Sequence, residues 1–440
     1  MSTLDLCQDL VRQGARAAYQ GRVDIVSGML VEAFGVPAAL GEMCRIDRGA
    51  RGTIDAEVVG FRGQSTLLMP HGDLEGIAPR QTVTALNRSF AIRVGDELLG
   101  RVLDGFGHPL DGLPAVRADG MREVRQPAPD PLERPSIVEP LQTGVRAIDS
   151  LNTIGRGQRL GIFAGSGVGK SSLLSQITRG TDADVIVVCL VGERGREVRS
   201  FIEEVFDEAG REKAVMIVAT SDRAPIERYM APFVAVSVAE HFRDEGKNVL
   251  VVMDSVTRFA AACREIGLAA GEPPTVRGYP PSFFATAPKL VERMGRTEKG
   301  TITGLLTILL DGDDPNEPVA DTMRGLLDGH LYLSRDLAHR GHFPAIDVLG
   351  SLSRLMPKLA PAEQQERAAQ VREWLAAWRE GRDLVEIGAY AAGSNPRLDE
   401  AIQRMPVIEA FLKQRPEETT DLAETSALLE LVTSAPEELA

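Results

Sequence analysis

A glycine-rich segment near the middle of the chain has the residue types of a phosphate-binding loop. It runs from Ala164 to Ser171 and reads Ala-Gly-Ser-Gly-Val-Gly-Lys-Ser. Glycines allow backbone N–H groups to wrap around phosphate oxygens, and a helix that starts there adds the positive end of its dipole. Lys170 is expected to contact the β- and γ-phosphates, and Ser171 to ligate Mg2+. The segment therefore predicts a site for a nucleoside triphosphate with its metal ion.

The sequence on either side of this loop agrees with that prediction. An apolar run of strand type ends at Ala164, and helix-like sequence follows from Ser172 to Ile177. Ala164 stands where the motif usually has its first glycine, which is a departure from the strict pattern. A plain glycine-rich turn would give Lys170 no purpose at the helix start. The predicted nucleotide contacts are Gly165, Ser166, Gly167, Val168, Gly169, Lys170, Ser171 and Ser172.

A second apolar run ends in a carboxylate that could serve the same metal. The run spans Asn248 to Asp254, and a carboxylate at the end of a buried strand can hold Mg2+ through its water shell beside Ser171. Apolar strands often end in Asp, so Asp254 is informative mainly together with the loop. Many P-loop ATPases place a Glu directly after this Asp, but here Ser255 follows. Another carboxylate must therefore act on the attacking water.

Glu193 is the candidate for that carboxylate. The turn Gly192-Glu193-Arg194 follows the apolar run Val185 to Val191, the first such run after the loop helix. In a parallel sheet its carboxyl end lies at the same edge as the loop. Glu193 could act as a general base or orient water, and Arg194 could offset phosphate charge. On spacing alone, a solvated charged turn is an equally good interpretation.

The elements that must position these residues follow from the hydrophobic pattern. Nearly continuous apolar runs alternate with helix-like segments in the central part of the chain, and strands buried on both faces of a parallel α/β sheet have this pattern. Before it, from Gly21 to about Asn87, short apolar stretches with glycine-rich breaks indicate a small β-barrel. The apolar runs are Leu160 to Ala164, Val185 to Val191, Val215 to Ala219, Val249 to Met253 and Ile302 to Leu310.

Helical periodicity replaces the strand pattern after Met356. It is found in Pro361 to Trp378 and in Leu398 to Leu412, where Pro406 is expected to break or kink the helix. We predict four parts: an N-terminal amphipathic arm (1–20), a β-barrel domain (21–92), an α/β core (93–356) and a C-terminal α-helical domain (357–440). A proline-rich stretch from Asp111 to Pro140 is expected to be an ordered connector.

The overall composition argues against some classes of function. The 440 residues carry a formal net charge of -14, whereas proteins that bind a nucleic-acid backbone are normally basic. Neither a signal peptide nor an apolar run of ~20 residues is evident. The cysteines are scattered without metal-ligand spacing, which favours reduced thiols and a cytoplasmic location. They are Cys7, Cys44, Cys189 and Cys263.

Taken together, these motifs resemble the family of rotary ATPase α/β subunits. Besides the loop and the turn at Glu193, Asp254 with Arg258 and the decapeptide at 344–353, Pro-Ala-Ile-Asp-Val-Leu-Gly-Ser-Leu-Ser, carry the resemblance. It covers nearly the whole chain and implies an N-terminal β-barrel, a RecA-like P-loop core and C-terminal helices. Segments 271–281 and 311–315 are similar to the type III secretion branch, which exports flagellar subunits or virulence effectors. Of these, flagellar export is the expectation.

The resemblance also implies roles for individual residues. Lys170 and Ser171 would contact phosphate and Mg2+, Glu193 would be the catalytic carboxylate, and Arg194 and Arg258 would lie on the phosphate side. Arg354 matches an arginine finger that reaches the γ-phosphate held by a neighbouring subunit. Phe343 falls where the family packs an aromatic ring against adenine, although it could equally be ordinary core, and Tyr390 could complete that pocket.

Several partners are implied by the same resemblance. They are further copies of the chain in a ring of six, a central coiled-coil stalk near the 311–315 loop, and a stator-like regulatory subunit on the N-terminal arm. An export gate, chaperone-bound substrates and peripheral attachment to the cytoplasmic face of the inner membrane belong to the same expectation, and no specific nucleic acid does. The alternatives are an injectisome ATPase, a catalytic subunit of a rotary ATP synthase or vacuolar pump, a RecA-like nucleic-acid translocase and a nucleotide-holding structural subunit.

Overall fold

The computed structural model describes residues 20–118, 120–205, 208–314 and 316–434. All but the last residue of the predicted N-terminal arm, and with it Cys7, therefore lie outside the described residues. None of the helices in these ranges combines the length and the hydropathy that a membrane-spanning helix requires.

The described chain begins with a closed six-stranded antiparallel barrel. Its strands are arranged in the order β1-β2-β5-β4-β3-β6. Exposed and buried residues alternate from Gln20 to Val23 in β1, because successive side chains in a strand point to opposite faces. The barrel strands are β1 (Gln20–Ser27), β2 (Leu30–Phe34), β3 (Glu42–Asp47), β4 (Thr53–Arg62), β5 (Ser65–Pro70) and β6 (Thr82–Ser89).

Several short strands lie between the barrel and the long core strands, some within the proline-rich connector (Asp111 to Pro140) and some beside it. Strand β7 (Ala91–Val94) pairs with β9 (Gly120–Glu123) in a small antiparallel sheet. Strand β8 (Val102–Asp104) adds to the edge of the central sheet. These strands have three or four residues each, which is too short for a periodicity to be recognised. Strands β10 (Pro140–Leu141) and β11 (Ile154–Gly155) form a further short pair.

The core is a large, mostly parallel sheet, as the alternating apolar runs predicted. Its strand order is β19-β18-β12-β17-β15-β13-β14-β8, with β16 paired to β17 beside this path. Strand β17 therefore lies between β12, which leads into the glycine loop, and β15, which ends at Asp254. The remaining strands are β12 (Arg159–Ala164), β13 (Val185–Val191), β14 (Ala214–Ala219), β15 (Asn248–Asp254), β16 (Gly295–Arg296), β17 (Thr301–Leu309), β18 (Gly329–Leu333) and β19 (Leu352–Ser353).

Helices cover both faces of this sheet. The helix α5 packs against β13, β14 and β15 and is apolar over most of its circumference, as expected for a helix enclosed by other elements. The core helices are α1 (Arg146–Leu151), α2 (Lys170–Gly180), α3 (Gly195–Val205), α4 (Glu208–Lys213), α5 (Pro225–Asp244), α6 (Val256–Ala270), α7 (Pro281–Val291), α8 (Pro318–Leu326), α9 (Arg335–His339) and α10 (Met356–Leu359).

Three further helices form the C-terminal part: α11 (Ala362–Glu386), α12 (Pro396–Leu412) and α13 (Leu422–Thr433). The expectation that Pro406 breaks the second of them is wrong, because α12 continues through it to Leu412. Buried residues on both sides of the proline, among them Met405 and Ile408, anchor the helix. Tertiary packing of that face compensates for the missing backbone hydrogen bond.

A buried ion pair ties the connector to the core. Arg293 is 1% exposed, and its guanidinium donates to Glu240 Oε1 at 2.9 Å and Oε2 at 2.7 Å. It also donates to the carbonyl of Val124 at 2.7 Å and to Ser237 Oγ at 2.9 Å. Removing Arg293 would leave the buried Glu240 charge with Arg122, whose Nε is 3.2 Å from Oε2, as a weaker partner.

We expect Arg293→Met to lower the free energy of unfolding by about 3 kcal/mol or more, because Glu240 loses its main partner. The exposed pair Arg199–Glu203, 2.9 Å apart with side chains 82% and 64% exposed, provides the control. Arg199→Met should change stability by no more than about 0.5 kcal/mol. Urea denaturation followed by circular dichroism compares the two, and equal midpoints would contradict the assignment of stability to the buried pair.

Candidate active site

The glycine loop connects β12 to α2 at the carboxyl edge of the central sheet. Strand β12 ends at Ala164 and α2 begins at Lys170. Gly167 and Gly169 have φ angles of +78° and +88°, a left-handed conformation that residues with a Cβ rarely adopt. Gly169 also packs against the ring of Phe343, and a Cβ placed there would lie 3.1 Å from the ring carbon Cε1. Both glycines are therefore needed for the path of this loop.

The loop lines one side of an open cleft of roughly 830 Å³. The opposite side is formed by the turn after β13, the start of α6 and the end of β17. Among the residues around the cleft are the predicted loop glycines together with Ser166, Lys170, Ser171, Ser172, Glu193, Arg194 and Arg258. Val168 is 1% exposed and supports the loop from beneath.

Lys170 and Asp254 form an ion pair at the base of the cleft. Their side chains are 12% and 5% exposed, so the pair is poorly screened by water. The same carboxylate oxygen, Asp254 Oδ1, accepts a hydrogen bond from Thr307 Oγ1 at 2.7 Å. Thr307 is fully buried on β17, the strand between β12 and β15. Three neighbouring strand ends thus bring the lysine, the threonine and the aspartate together.

Glu193 lies at the same edge, in the turn after β13. Hydrogen bonds to the end of β14 fix this turn, since the Gly192 N–H donates to Ala219 O at 2.7 Å and the Ser221 N–H to Glu193 O at 3.1 Å. Burial, and then the nearby Asp254 carboxylate, raise the pKa of Glu193 to about 7, against the opposing charge of Lys170. A carboxylate with a pKa close to the working pH is suited to proton transfer.

This pKa predicts an acid limb in the activity of the free enzyme. Glu193 must be ionised to accept a proton, so kcat/KM for ATP should fall as the pH drops through about 7, by about tenfold per unit below it. Steady-state rates between pH 5.5 and 8.5 measure this limb, with binding of a fluorescent ADP analogue over the same range as a control for affinity. A flat kcat/KM profile, or a break near the ordinary pKa of a glutamate, would contradict the prediction.

The two predicted phosphate-side arginines lie at the cleft but are exposed. The Arg194 side chain is 73% exposed, and its Nη1 is 3.6 Å from Glu197 Oε1. The aliphatic part of Arg258 packs on Gly192, where a Cβ would lie 2.8 Å from Arg258 Cβ. Neither guanidinium is buried, so both can move towards an anionic ligand in the cleft.

The two predicted adenine contacts have different local surroundings. Phe343 is 41% exposed beside Gly169, and its carbonyl accepts a hydrogen bond from Gln414 N at 2.9 Å. The Tyr390 hydroxyl instead donates to Asp399 Oδ1 at 2.9 Å, in the connection between α11 and α12. Neither Phe343 nor Tyr390 is among the residues that line the cleft. Phe343 packs directly on the glycine loop, whereas the Tyr390 hydroxyl is anchored next to the start of α12.

Arg354 lies outside the cleft of its own chain. It directly follows β19, and its N–H donates to Asp328 O at 3.0 Å. The guanidinium is exposed, with Nη2 3.5 Å from the carbonyl of Arg324. An arginine that serves a neighbouring subunit would occupy such a position.

The residues at the base of the cleft fit a hard divalent cation. Ser171 is exposed at the start of α2, so its hydroxyl is free to act as a ligand. The Asp254 carboxylate already faces a cationic group, Lys170, in this structure. Hydroxyl and carboxylate oxygens are ligands that magnesium prefers. The donor set is therefore suited to such an ion.

Thr307 and the far side of the cleft were not found from the sequence. A threonine within an apolar strand looks like an ordinary β-residue, and only its position beside Asp254 distinguishes it. On the far side, the Arg264 guanidinium lies over the Tyr279 ring at 5.3 Å, with Glu317 nearby. The sequence carries no spacing that would relate these residues to the glycine loop.

Two family models match the chain. Residues 144–353 match the nucleotide-binding domain of the ATP synthase alpha/beta family, and residues 360–430 match the T3SS EscN ATPase C-terminal domain. Together they cover the cleft, the central sheet apart from its edge strand β8, and most of the C-terminal helices.

Similar proteins cover nearly the full length. The flagellum-specific ATP synthase of Bacillus subtilis (strain 168) is 48% identical over 419 residues, which is 95% of this chain and 96% of that protein. The type 3 secretion system ATPase of Xanthomonas euvesicatoria is 48% identical over 420 residues, which is 95% of this chain and 94% of that protein.

Solved structures of one ATPase have the same fold. The assembled ATPase EscN from the type III secretion system of enteropathogenic E. coli is 41% identical, with a TM-score of 0.89 over 94% of this chain and 100% of that chain. The same ATPase in complex with its central stalk EscO gives a TM-score of 0.88 at 41% identity and the same coverage. The predicted combination of barrel, RecA-like α/β core and C-terminal helices is confirmed.

Proposed function

This chain belongs to the flagellar and type III secretion ATPases of the ATP synthase alpha/beta family, and from that premise we propose that it hydrolyses ATP to drive protein export through a flagellar secretion apparatus. The proposed ATPase activity rests on one observation: Lys170, Asp254 and Glu193 lie together at one edge of the sheet. Flagellum-specific relatives at 45% to 48% identity support the flagellar system.

The cleft residues would divide the reaction among them. Lys170 leaves Asp254 for the β- and γ-phosphates, and the loop N–H groups bind the remaining phosphate oxygens. Ser171 and Asp254 would hold Mg2+, which neutralises phosphate charge and orients the triphosphate. Glu193 takes a proton from the attacking water, or orients it, and Arg194 and Arg258 stabilise charge on the phosphate side. Phe343 would pack against the adenine ring.

A ring of copies would complete the site. Since Arg354 is exposed and away from the cleft of its own chain, we propose that it enters the cleft of the next copy, in a ring of six. The acidic 311–315 loop, whose Asp311 borders the cleft, would meet a central coiled-coil stalk, as EscN is in complex with EscO.

Other partners belong to the same proposal. The N-terminal arm would dock a stator-like regulatory subunit, and the ring would work in the cytoplasm at the inner membrane beside the export gate. There it would receive substrates bound to chaperones. These proposals follow from the family to which the chain belongs.

Gene replacement in the bacterium that encodes this chain tests which proteins depend on it for export. A Glu193→Gln allele should abolish secretion of flagellar rod, hook and filament subunits into the medium, measured by immunoblot. A Glu203→Gln allele, at an exposed position on α3 outside the cleft, is the matched control and should secrete normally. Normal flagellar export from the Glu193→Gln strain would contradict the proposal. Loss of effector secretion alone would assign the chain to an injectisome instead.

A further inference from the structure

The Asp254 carboxylate is held by two donors that differ in mobility. Lys170 reaches Oδ1 with a flexible side chain from the start of α2, while Thr307 Oγ1 donates to the same oxygen at 2.7 Å. Lysine has four rotatable side-chain bonds, whereas threonine has one and is β-branched. Both donors stabilise the negative charge of the carboxylate, the lysine through its own charge and the threonine through a hydrogen bond, but only the lysine can leave without moving the backbone.

The backbone at Thr307 is fixed from both sides. Strand β17 pairs in parallel with β12 on one side, where Thr307 is opposite Ile162, and with β15 on the other. Leu309 N–H, two residues on, donates to Thr257 Oγ1 at 2.8 Å and so ties the strand end to α6. The hydroxyl is completely buried, and Asp254 is its hydrogen-bond partner. Because its backbone is held on both sides, we expect the Thr307 hydroxyl to stay in position whether or not ligand is bound.

From this arrangement we propose that Thr307 is a positioning residue, which holds Asp254 in its metal-binding orientation when Lys170 moves to the phosphates. The inference rests on the proposed function, since it assumes that the lysine and the carboxylate separate when the nucleotide binds with its metal. Without the threonine, a carboxylate released by the lysine would rotate. The metal would then have to order it at a cost in affinity. Partners behind a metal ligand typically account for 10- to 100-fold in metal affinity.

The competing explanation is that Thr307 only satisfies a buried acceptor and so contributes to stability alone. Thr303 allows the two explanations to be distinguished. It lies on the same strand and face four residues earlier, is 1% exposed, and its Oγ1 accepts a hydrogen bond from Gly157 N at 2.8 Å. Thr303→Val removes a buried hydroxyl from β17 without touching Asp254.

The test is Mg2+-dependent binding of a fluorescent ADP analogue to the full-length chain, with Mg2+ titrated at fixed nucleotide. Thr307→Val should raise the half-saturating Mg2+ concentration about 10- to 100-fold and leave binding of the analogue in EDTA unchanged. Thr307→Ser, which restores a donor, should return it towards wild type. Thr303→Val should lower the unfolding midpoint and leave the Mg2+ dependence unchanged. Thr307→Ala serves as a second hydroxyl-free chain if the valine variant does not fold.

Three results would overturn the inference. They are equal half-saturation in Thr307→Val and wild type, equal impairment in Thr307→Ser and Thr307→Val, and an equal shift in Thr303→Val. A wild-type chain that binds the analogue equally well with Mg2+ and with EDTA would instead contradict the proposed metal site itself. Failure of the inference and failure of the proposed function are therefore separable.

Discussion

Replacing Arg354 with alanine should lower the ATPase rate of the assembled protein by about 1,000- to 100,000-fold, the range found for arginine fingers in phosphoryl transfer. The reason is positional: the side chain is exposed and outside the cleft of its own chain, and we propose that its charge acts instead on the γ-phosphate bound by a neighbouring copy. Nucleotide binding should persist, because Lys170 and the loop are untouched. Coupled-enzyme assays of the assembled ring measure the rate, with surface Arg397→Ala as the matched control.

A mixing experiment makes this prediction specific to action between copies. Arg354→Ala keeps an intact loop, and Lys170→Ala keeps an intact finger, so each chain alone should be nearly inactive. In an equimolar mixture that assembles at random, about a quarter of the interfaces would pair an intact loop with an intact finger. Activity should therefore reappear on mixing. An Arg354→Ala ring that hydrolyses ATP at the wild-type rate, or a mixture that stays inactive, would refute action in trans.

The second large effect is expected at Glu193. Glu193→Gln keeps the shape of the side chain and removes the group that accepts a proton, so kcat should fall by about 100- to 10,000-fold. Affinity for ADP should be retained, because Asp254 already opposes the ionised form of Glu193 and removing that charge relieves repulsion near the phosphates. Single-turnover hydrolysis together with fluorescent ADP binding separates the two quantities.

The exposed carboxylate of Glu203 provides the control for that substitution. It lies on α3, is 64% exposed and pairs with Arg199. Glu203→Gln should hydrolyse ATP at a rate close to wild type. If Glu193→Gln kept its turnover, the assignment of the catalytic carboxylate would be wrong, whatever the state of the metal site.

The sequence predicted the elements of the site well because each signal is local. The glycine loop is a contiguous motif, and the run Val185 to Val191 that precedes Glu193 is apolar without interruption. Parallel strands place their carboxyl ends at one edge, so the closeness of Glu193, Asp254 and the loop followed from fold class alone. The barrel was predictable for a similar reason, since its strands and turns alternate at short range.

The individual side-chain contacts at this edge could not be predicted in the same way. Fold class brings Lys170 and Asp254 to one edge, but their direct ion pair, across 84 positions, depends on β17 lying between their strands, an order that periodicity does not encode. The same holds for Thr307, whose residue type is ordinary for a strand. The hydrogen bond between the Tyr390 hydroxyl and Asp399 was likewise not evident from the sequence, and the role of Tyr390 at adenine stays a prediction.

The order of strands at the end of the sheet has a mechanical consequence. Strand β18 pairs with β12 on one side and with β19 on the other, so only one strand separates the nucleotide loop from the residue before Arg354. Neighbouring strands are about 5 Å apart and do not slide independently. In a ring, a shift of the loop strand when one copy binds or releases nucleotide would be carried directly to the finger that this copy presents to the next. Sequential ATP hydrolysis around the ring would then need no separate element to couple one site to the next.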